Sequence, residues 1–310
     1  MPAKATRDAF GEALARLGER YPNLVVLDAD LSKSTKSELF AKKFPSRFFE
    51  MGIAEANMIG TGTGLALAGK IPFVCSFSCF VSGRFDQLKI SVAYSQVNVR
   101  VIGSHGGIAV GDDGYSQQGL EDLSVMRSLP GMAVINPADD LETESAVEYL
   151  CTYPGPAYLR TTRQKVERVN PEGYRFELGK AVELRKGGSD AVIFATGGEV
   201  YLALKAAESL GEAGLKVGVV NIHTLKPLDS AAVVAAARKT KLVVTVEDHQ
   251  IIGGLGSAVS EALSESAVGV RLLRVGIPDT FGESGSPEEL LAKYKLDARG
   301  IAEQVRAAFR

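Results

Sequence analysis

Residues 54–77 read AEANMIGTGTGLALAGKIPFVCSF and place a helical pattern directly before a strand pattern. Residues 54–68 are mostly small or apolar over a length typical of a helix. Residues 71–77 form a short apolar run, as in a strand that is buried on both faces. A helix joined closely to a buried strand is the repeating unit of α/β proteins. The stretch therefore predicts a parallel sheet covered by helices.

The same alternation continues along the chain. In the first half the predicted strands are 24–30, 71–77, 99–105, 132–137 and 157–162, and the predicted helices are 4–19, 34–43, 54–68, 80–95, 118–127 and 139–150. In the second half the predicted strands are 191–197, 216–222, 242–248 and 270–277, and the predicted helices are 199–213, 229–238, 253–265, 287–292 and 297–309.

Between the two series, residues 165–190 are polar, charged and interrupted by Pro and Gly, which is typical of a linker with a short strand or two. We therefore predict an α/β protein of two consecutive domains, each with a mostly parallel sheet flanked by helices. The predicted division is a first domain at 1–166, a linker at 167–188 and a second domain at 189–310.

The composition narrows the class of protein. The chain has 310 residues, 45% of them hydrophobic, and its 35 basic and 37 acidic side chains give a formal net charge of −2. Basic residues are scattered, which predicts no nucleic-acid or membrane partner. No apolar run approaches the about 18 residues of a membrane span, and Cys75, Cys79 and Cys151 lack metal-binding spacing. These features predict a cytoplasmic protein with reduced thiols.

Glu55 is a candidate functional residue because it interrupts the largely apolar segment 48–69. A carboxylate that loses its hydration costs several kcal/mol unless it is paired or takes up a proton. The structural alternative is a glutamate at a contact between helices. The residue pattern alone leaves both interpretations open.

Two polar segments follow predicted strands, where open parallel sheets bind ligands. Loop 103–122, GSHGGIAVGDDGYSQQGLED, contains His105 and Asp113 among glycines, which let a backbone approach a ligand closely. Its alternative is a long surface loop with an incidental histidine. Segment 27–40 contains Ser34 at the start of a predicted helix, which indicates either a helix cap or a phosphate site.

Aromatic and basic side chains lie near two other strand ends. Segment 75–89 contains Phe77 and Phe80, whose rings suit either the hydrophobic core or a binding cleft. Arg160 and Arg163 lie in YLRTTRQK at a strand end. They are either ordinary exposed arginines or ligands for a phosphate or carboxylate.

Taken together, these segments resemble the C-terminal half of transketolase over nearly the whole chain. The matching motifs include KATRDAFGEAL, DADLSKST, GIAEANMIGTGTGLA, FVSGRFDQLK, GSHGGIAVGDDGYSQQGLEDL, LRTTRQK and VEDHQIIGGLG. The resemblance implies a pyrimidine-binding domain for thiamine diphosphate, followed by the transketolase C-terminal domain. It implies transfer of a two-carbon ketol unit from a ketose phosphate to an aldose phosphate, as in the pentose phosphate pathway.

The family's N-terminal domain, with its metal-binding GDG motif, has no counterpart in the sequence. The resemblance therefore implies the C-terminal (beta) subunit of a split transketolase, active only with a separate N-terminal subunit in an α2β2 assembly. A divalent metal, Mg²⁺ or Ca²⁺, is expected in the partner and not in this chain.

The resemblance also implies roles for single residues. Glu55 matches the glutamate that hydrogen-bonds N1′ of the thiamine aminopyrimidine and shares its proton. Phe77 and Phe80 match the aromatic residues that line this ring. His105 matches a histidine near the reactive carbon, and Asp113 matches an aspartate that recognises a sugar hydroxyl.

Further matches lie around the implied channel. Arg7, Ser34 and Arg163 match its sugar-phosphate end, where two cations and a hydroxyl suit a dianion. Gln117 and Asp30 are implied near the cofactor. Gln117 stands in DGYSQQ where many relatives have histidine, which indicates a subtype.

Gly83 stands where relatives often have a bulkier residue, so the shape of the pyrimidine wall stays open. His249 lies in the C-terminal domain, and the resemblance implies no catalytic role for it. Four alternative functions stay open: a deoxyxylulose-phosphate synthase-like subunit, the β subunit of a 2-oxo acid dehydrogenase, a transketolase-like subunit for an unusual sugar, and a non-catalytic assembly subunit.

Overall fold

The computed structural model describes residues 3–309, which form two larger β-sheets flanked by helices and one two-stranded sheet. The strands are β1 (Lys4–Ala5), β2 (Leu24–Asp28), β3 (Phe48–Glu50), β4 (Ile71–Phe77), β5 (Arg100–Ser104), β6 (Ala133–Ile135), β7 (Ala157–Arg160), β8 (Lys165–Val166), β9 (Val182–Arg185), β10 (Ala191–Ala195), β11 (Val217–Asn221), β12 (Thr224–Lys226), β13 (Leu242–Gln250) and β14 (Arg271–Ile277).

The α-helices are α1 (Thr6–Arg20), α2 (Ser32–Thr35), α3 (Glu38–Lys43), α4 (Glu55–Leu67), α5 (Ser78–Ser82), α6 (Phe85–Gln87), α7 (Asp122–Ser128), α8 (Asp140–Leu150), α9 (Glu199–Glu212), α10 (Ser230–Ala237), α11 (Leu255–Glu265), α12 (Pro287–Lys293) and α13 (Ala298–Ala307). Within residues 3–309, no helix combines the length and the apolar character needed to span a membrane.

The first sheet has seven strands in the order β12-β6-β7-β5-β4-β2-β3, and all its pairs are parallel except β12 with β6. Strands β2 and β5 are fully buried, and the apolar run at 24–27 in β2 predicts this burial. Because parallel strands end at a common edge, Phe77 at the end of β4 pairs with Ser104 at the end of β5. This carboxyl edge positions the candidate site.

The second sheet has five strands in the order β14-β13-β10-β11-β9, parallel except for β9. Strand β9 lies inside the predicted linker, and β12, from the second half of the chain, pairs with the first sheet. One hydrophobic cluster continues from Val74 in the first sheet to Phe194 in the second. The two halves therefore share part of their core, and the domain boundaries stay a prediction.

The long predicted strands and most predicted helices are confirmed within a few residues, and the differences have local causes. The predicted helix 34–43 is divided at Lys36, whose φ of 69° is left-handed. The predicted helix 80–95 is α5 and α6 followed by a π-helical segment, Leu88–Tyr94. Gly83 ends α5, as the low helix propensity of glycine favours.

Candidate active site

Glu55 is the first residue of α4 and borders a surface cleft of about 370 Å³. It is only 4% exposed, and its carboxylate accepts a hydrogen bond from Ser76 Oγ of β4 at 3.3 Å. A guanidinium nitrogen of Arg84 lies 3.8 Å from the other carboxylate oxygen. The N-terminus of a helix also favours a negative charge. The fold thus holds a buried carboxylate at the edge of a cleft.

Three flat side chains, Phe77, Phe80 and His105, form a row at the carboxyl edge of the first sheet, here called the aromatic row. The rings of Phe77 and Phe80 are nearly parallel, at 8°, with centroids 5.6 Å apart. The imidazole of His105 lies 3.9 Å from the ring of Phe77 at 24°. His105 has a φ of 58°, an uncommon conformation for a residue other than glycine. Such strain persists where the surroundings fix it, as they do in functional sites.

The tautomer of His105 follows from its two partners. Arg7 Nη1 lies 3.0 Å from Nε2, and Ser104 Oγ lies 2.8 Å from Nδ1. Because a guanidinium can only donate, Nε2 accepts and the ring proton is on Nδ1, which donates to Ser104. Burial, followed by the charges of Arg7 and Arg163, lowers the pKa of His105 to about 3. The imidazole is therefore neutral at neutral pH.

Arg7 and Arg163 form a positively charged end of the site, here called the cationic end. Arg7 Nη1 donates to the carbonyl oxygen of Ser34 at 3.2 Å, besides its contact with His105. Arg163 Nη1 donates to Asp113 Oδ2 at 3.2 Å, and both side chains of this ion pair are partly exposed. The structure thus brings together five residues that the motifs predicted for the substrate channel.

Asp28 is an organising residue to which the motifs gave no separate role. Its buried carboxylate, at the end of β2, accepts hydrogen bonds from Leu31 N and Thr35 Oγ1, both at 2.7 Å, and from Ser37 Oγ at 2.8 Å. Burial raises the pKa of Asp28 to about 6 in spite of these bonds. The bonds fix the turn that contains Ser34. An aspartate ending a buried strand before a Ser/Thr-rich turn is its sequence signature.

Two predicted site residues lie apart from this arrangement. Among residues 3–309, no hydrogen bond or ring contact joins the side chain of Asp30 or Gln117 to the aromatic row or to the cationic end. The backbone N–H of Asp30 donates to Glu50, and the side chain of Gln117 accepts a hydrogen bond from Ser116. Their assignment to the cofactor stays a prediction.

Arg160 has a role different from that of Arg163. It is 2% exposed, and its Nε lies 3.0 Å from Asp122 Oδ2, so it binds groups of this chain and not an external anion. Sequence reasoning also missed Ser76 and Ser104, which hold Glu55 and His105. A serine in a buried strand has no sequence feature that reveals such a partner.

Comparison with known proteins places the chain in a family. Its residues 3–168 match the model of the transketolase pyrimidine binding domain, and residues 179–301 match that of the transketolase C-terminal domain. The chain belongs to the transketolase family.

Particular relatives have nearly the same length as this chain. It is 47% identical to the putative transketolase C-terminal section of Methanocaldococcus jannaschii, over 97% of this chain and 95% of that protein. It is 44% identical to the 6-deoxy-6-sulfo-D-fructose transketolase subunit of a Clostridium species, over 97% and 92%. A solved structure described as a split gene transketolase, inactive beta4 tetramer, is 45% identical, with a TM-score of 0.91 over 98% of both chains.

Proposed function

We propose that this chain is the C-terminal (beta) subunit of a split transketolase and transfers a two-carbon ketol unit from a ketose phosphate to an aldose phosphate. The observation that carries the proposal is the arrangement of the carboxyl edge of the first sheet. This chain of the transketolase family has all three features there: the cleft beside buried Glu55, the aromatic row and the cationic end. Relatives named as a C-terminal section and as a split gene product support the division into subunits.

The residues present fit thiamine diphosphate. The buried carboxylate of Glu55 borders a cleft, and Ser76 links it to the strand end that bears Phe77. The near-parallel rings of Phe77 and Phe80 offer flat faces to a pyrimidine. Bound thiamine diphosphate supplies the nucleophilic carbon and the electron sink.

The chain's own residues have the following tasks in the proposal. Glu55 hydrogen-bonds N1′ of the aminopyrimidine and holds or releases a proton at its carboxylate. Neutral His105 accepts a hydrogen bond from a sugar hydroxyl at Nε2, the atom that accepts from Arg7 in this structure. Arg7 and Arg163 bind the terminal anion of the sugar, and Asp113 accepts from a hydroxyl of the acceptor.

The remaining parts of the site are assigned to a partner. We place the diphosphate and its Mg²⁺ or Ca²⁺ in an N-terminal subunit, within an α2β2 assembly. The beta-only tetramer of the 45% identical relative is described as inactive, which supports a requirement for a second subunit. The three cysteines are free, which suits the reducing cytoplasm.

The experiment mixes the purified chain with a candidate N-terminal subunit, thiamine diphosphate and Mg²⁺. Transfer from xylulose 5-phosphate to ribose 5-phosphate is measured, with each subunit alone as control. We expect activity only in the mixture. Activity of this chain alone would reject the split site. Assembly with cofactor bound but no ketol transfer would reject the transketolase function and point to 2-oxo acids as substrates.

A second donor class has a specific observation in its favour. The relative named for 6-deoxy-6-sulfo-D-fructose is 44% identical over almost the whole chain. A sulfonate and a phosphate are both tetrahedral anions that two guanidinium groups can bind. The assay therefore includes the sulfo sugar as an alternative donor. Transfer from this donor alone would change the proposed substrate but keep the reaction class.

A further inference from the structure

The loop that follows β5, residues 105–119 (the site loop), is held by the second half of the chain. Asp248 of β13 accepts hydrogen bonds from the backbone N–H groups of Ile108 at 2.7 Å and Ala109 at 3.3 Å. Asp248 is 5% exposed, so both bonds are shielded from water. Along the sequence, these two N–H groups lie between His105 and Asp113, which we place in the site.

Arg160 holds the other end of the site loop. Its Nη2 donates to the carbonyl oxygen of Gly119 at 2.6 Å, and its Nη1 donates to the carbonyl oxygen of Asp248 at 2.9 Å. Tyr158 donates to Asp122 at 2.5 Å, on the same carboxylate oxygen that faces Arg160. One buried guanidinium thus links the end of the site loop to the backbone of the residue that binds its start.

Two glycines allow this close approach. A Cβ atom at Gly107 would lie 2.0 Å from Asp248 Oδ2, and one at Gly106 would lie 1.9 Å from Arg160 Nε. Gly107 also has a φ of 90°, which glycine adopts far more readily than other residues. The path of the site loop is therefore fitted to the two charged side chains.

We propose that Asp248 is a positioning residue for ketol transfer: its carboxylate fixes the site loop so that His105 and Asp113 keep their places relative to the substrate. The inference rests on the proposed function and deepens it. It gives the second half of the chain a role in the reaction that acts through the backbone of Ile108 and Ala109.

The physical basis is the flexibility of the site loop. Gly107, Gly111 and Gly114 all have positive φ, and each adds conformational freedom that the fold must restrict. Burial raises the pKa of Asp248, whereas the charge of Arg160 and the two backbone N–H groups lower it. When the carboxylate is ionised, these hydrogen bonds are roughly twice as strong as neutral ones. Without them the loop can shift, and a displacement of about 1 Å in a reacting geometry costs about 100-fold in rate.

The test compares Asp248→Ala and Asp248→Asn with Asp229→Ala as a matched control. Asp229 also accepts two backbone N–H bonds, from Ala181 and Ala232 at 3.1 Å, in the same half of the chain. We expect Asp248→Ala to lower kcat/KM of the reconstituted enzyme about 100-fold, with a raised KM for the aldose phosphate. Amide hydrogen exchange in the site loop should become faster, and Asp248→Asn, which keeps one acceptor oxygen, should be intermediate.

Asp229→Ala is expected to leave kcat/KM and exchange in the site loop unchanged. Equal losses of kcat/KM in the Asp248 and Asp229 variants would overturn the proposal. Wild-type kinetics in a folded Asp248 variant would also overturn it. If Asp248→Ala does not fold, the kinetics and hydrogen exchange of Asp248→Asn decide whether the proposal holds. If the wild-type pair shows no ketol transfer, the proposed function fails instead. The exchange comparison then still decides whether Asp248 fixes the loop.

Discussion

Single side chains in the site are held in defined states by burial and by a few neighbours. Ser76 holds Glu55 at the start of α4, and Arg7 together with Ser104 selects one tautomer of His105. These contacts position the carboxyl group of Glu55 and the neutral imidazole of His105 before any substrate arrives. Such preorganisation lowers the cost of reaching a reactive geometry.

Replacing Arg163 by alanine should raise the KM for xylulose 5-phosphate by about 10- to 100-fold. A hydrogen bond to a charged group contributes about 1.5–3 kcal/mol, and 1.4 kcal/mol corresponds to tenfold. Because the phosphate is remote from the reacting carbon, kcat should change much less. Steady-state kinetics of the reconstituted pair measure this effect. Arg238→Ala, which removes an exposed arginine after α10, is the charge-matched control, and an unchanged KM in Arg163→Ala would reject Arg163 as a phosphate ligand.

The histidines should not titrate near neutral pH. Burial lowers the pKa of His105 to about 3 and those of His223 and His249 to about 4. Each folded-state pKa lies below the unfolded value, so the stability that these groups contribute is complete above about pH 6.5 and is lost as the pH falls toward 4 and below.

NMR of the imidazole C–H protons measures this directly. We expect no titration of the three histidine rings in the folded chain between about pH 5.5 and 8, whereas the urea-unfolded chain should titrate near about pH 6.5. A folded-state midpoint near 6.5 for His105 would contradict the buried, neutral ring.

Whole elements were predictable where their pattern is long. The alternation of buried strands with helices predicted both large sheets. The motifs singled out Glu55, His105 and Arg163, whose functional roles stay predictions. The short strands β1 and β12 give no pattern of their own, and β12 pairs with a sheet distant in sequence. The contact of Asp248 with the site loop spans 140 residues, which local patterns do not encode.

Helix α8 connects three parts of the chain through hydrogen bonds to one buried side chain. Its buried Glu142 accepts hydrogen bonds from Ala138 N and Tyr174 OH at 2.7 Å and from Asn221 Nδ2 at 2.9 Å. These donors come from the first half, from the predicted linker and from the end of β11. Glu142→Ala leaves buried donors unpaired and should lower the free energy of unfolding by about 3 kcal/mol.

Urea unfolding measures the loss, and Glu208→Ala, on the exposed face of α9, is the control. Burial raises the pKa of Glu142 to about 7 from 4.5, so its contribution is complete below about pH 4.5 and is lost as the pH rises through about 7. The difference between wild type and Glu142→Ala should therefore be larger at about pH 5 than at about pH 8. A difference independent of pH would show that Glu142 does not titrate in this range.

At the scale of the molecule, the site lies at the surface of a chain whose two halves share part of one core. Large apolar side chains are exposed on α4 and on the π-helical segment that packs against it: Leu67 at 73%, Ile90 at 59% and Tyr94 at 83%. A contiguous exposed apolar surface would mark an interaction site. The motifs predicted a partner, but single-chain patterns did not show which surface would meet it.

The most direct measurement of a site divided between two subunits is a titration of the N-terminal subunit with wild-type and Glu55→Gln chains. Assembly mass and ketol transfer are followed together. Glutamine keeps the volume and the acceptor for Ser76 but cannot carry the carboxylate's proton. We predict that wild-type activity rises to an equimolar ratio, and that Glu55→Gln forms the same assembly with turnover lower by about 100-fold or more. Wild-type turnover by Glu55→Gln, or turnover by this chain without the partner, would contradict the account.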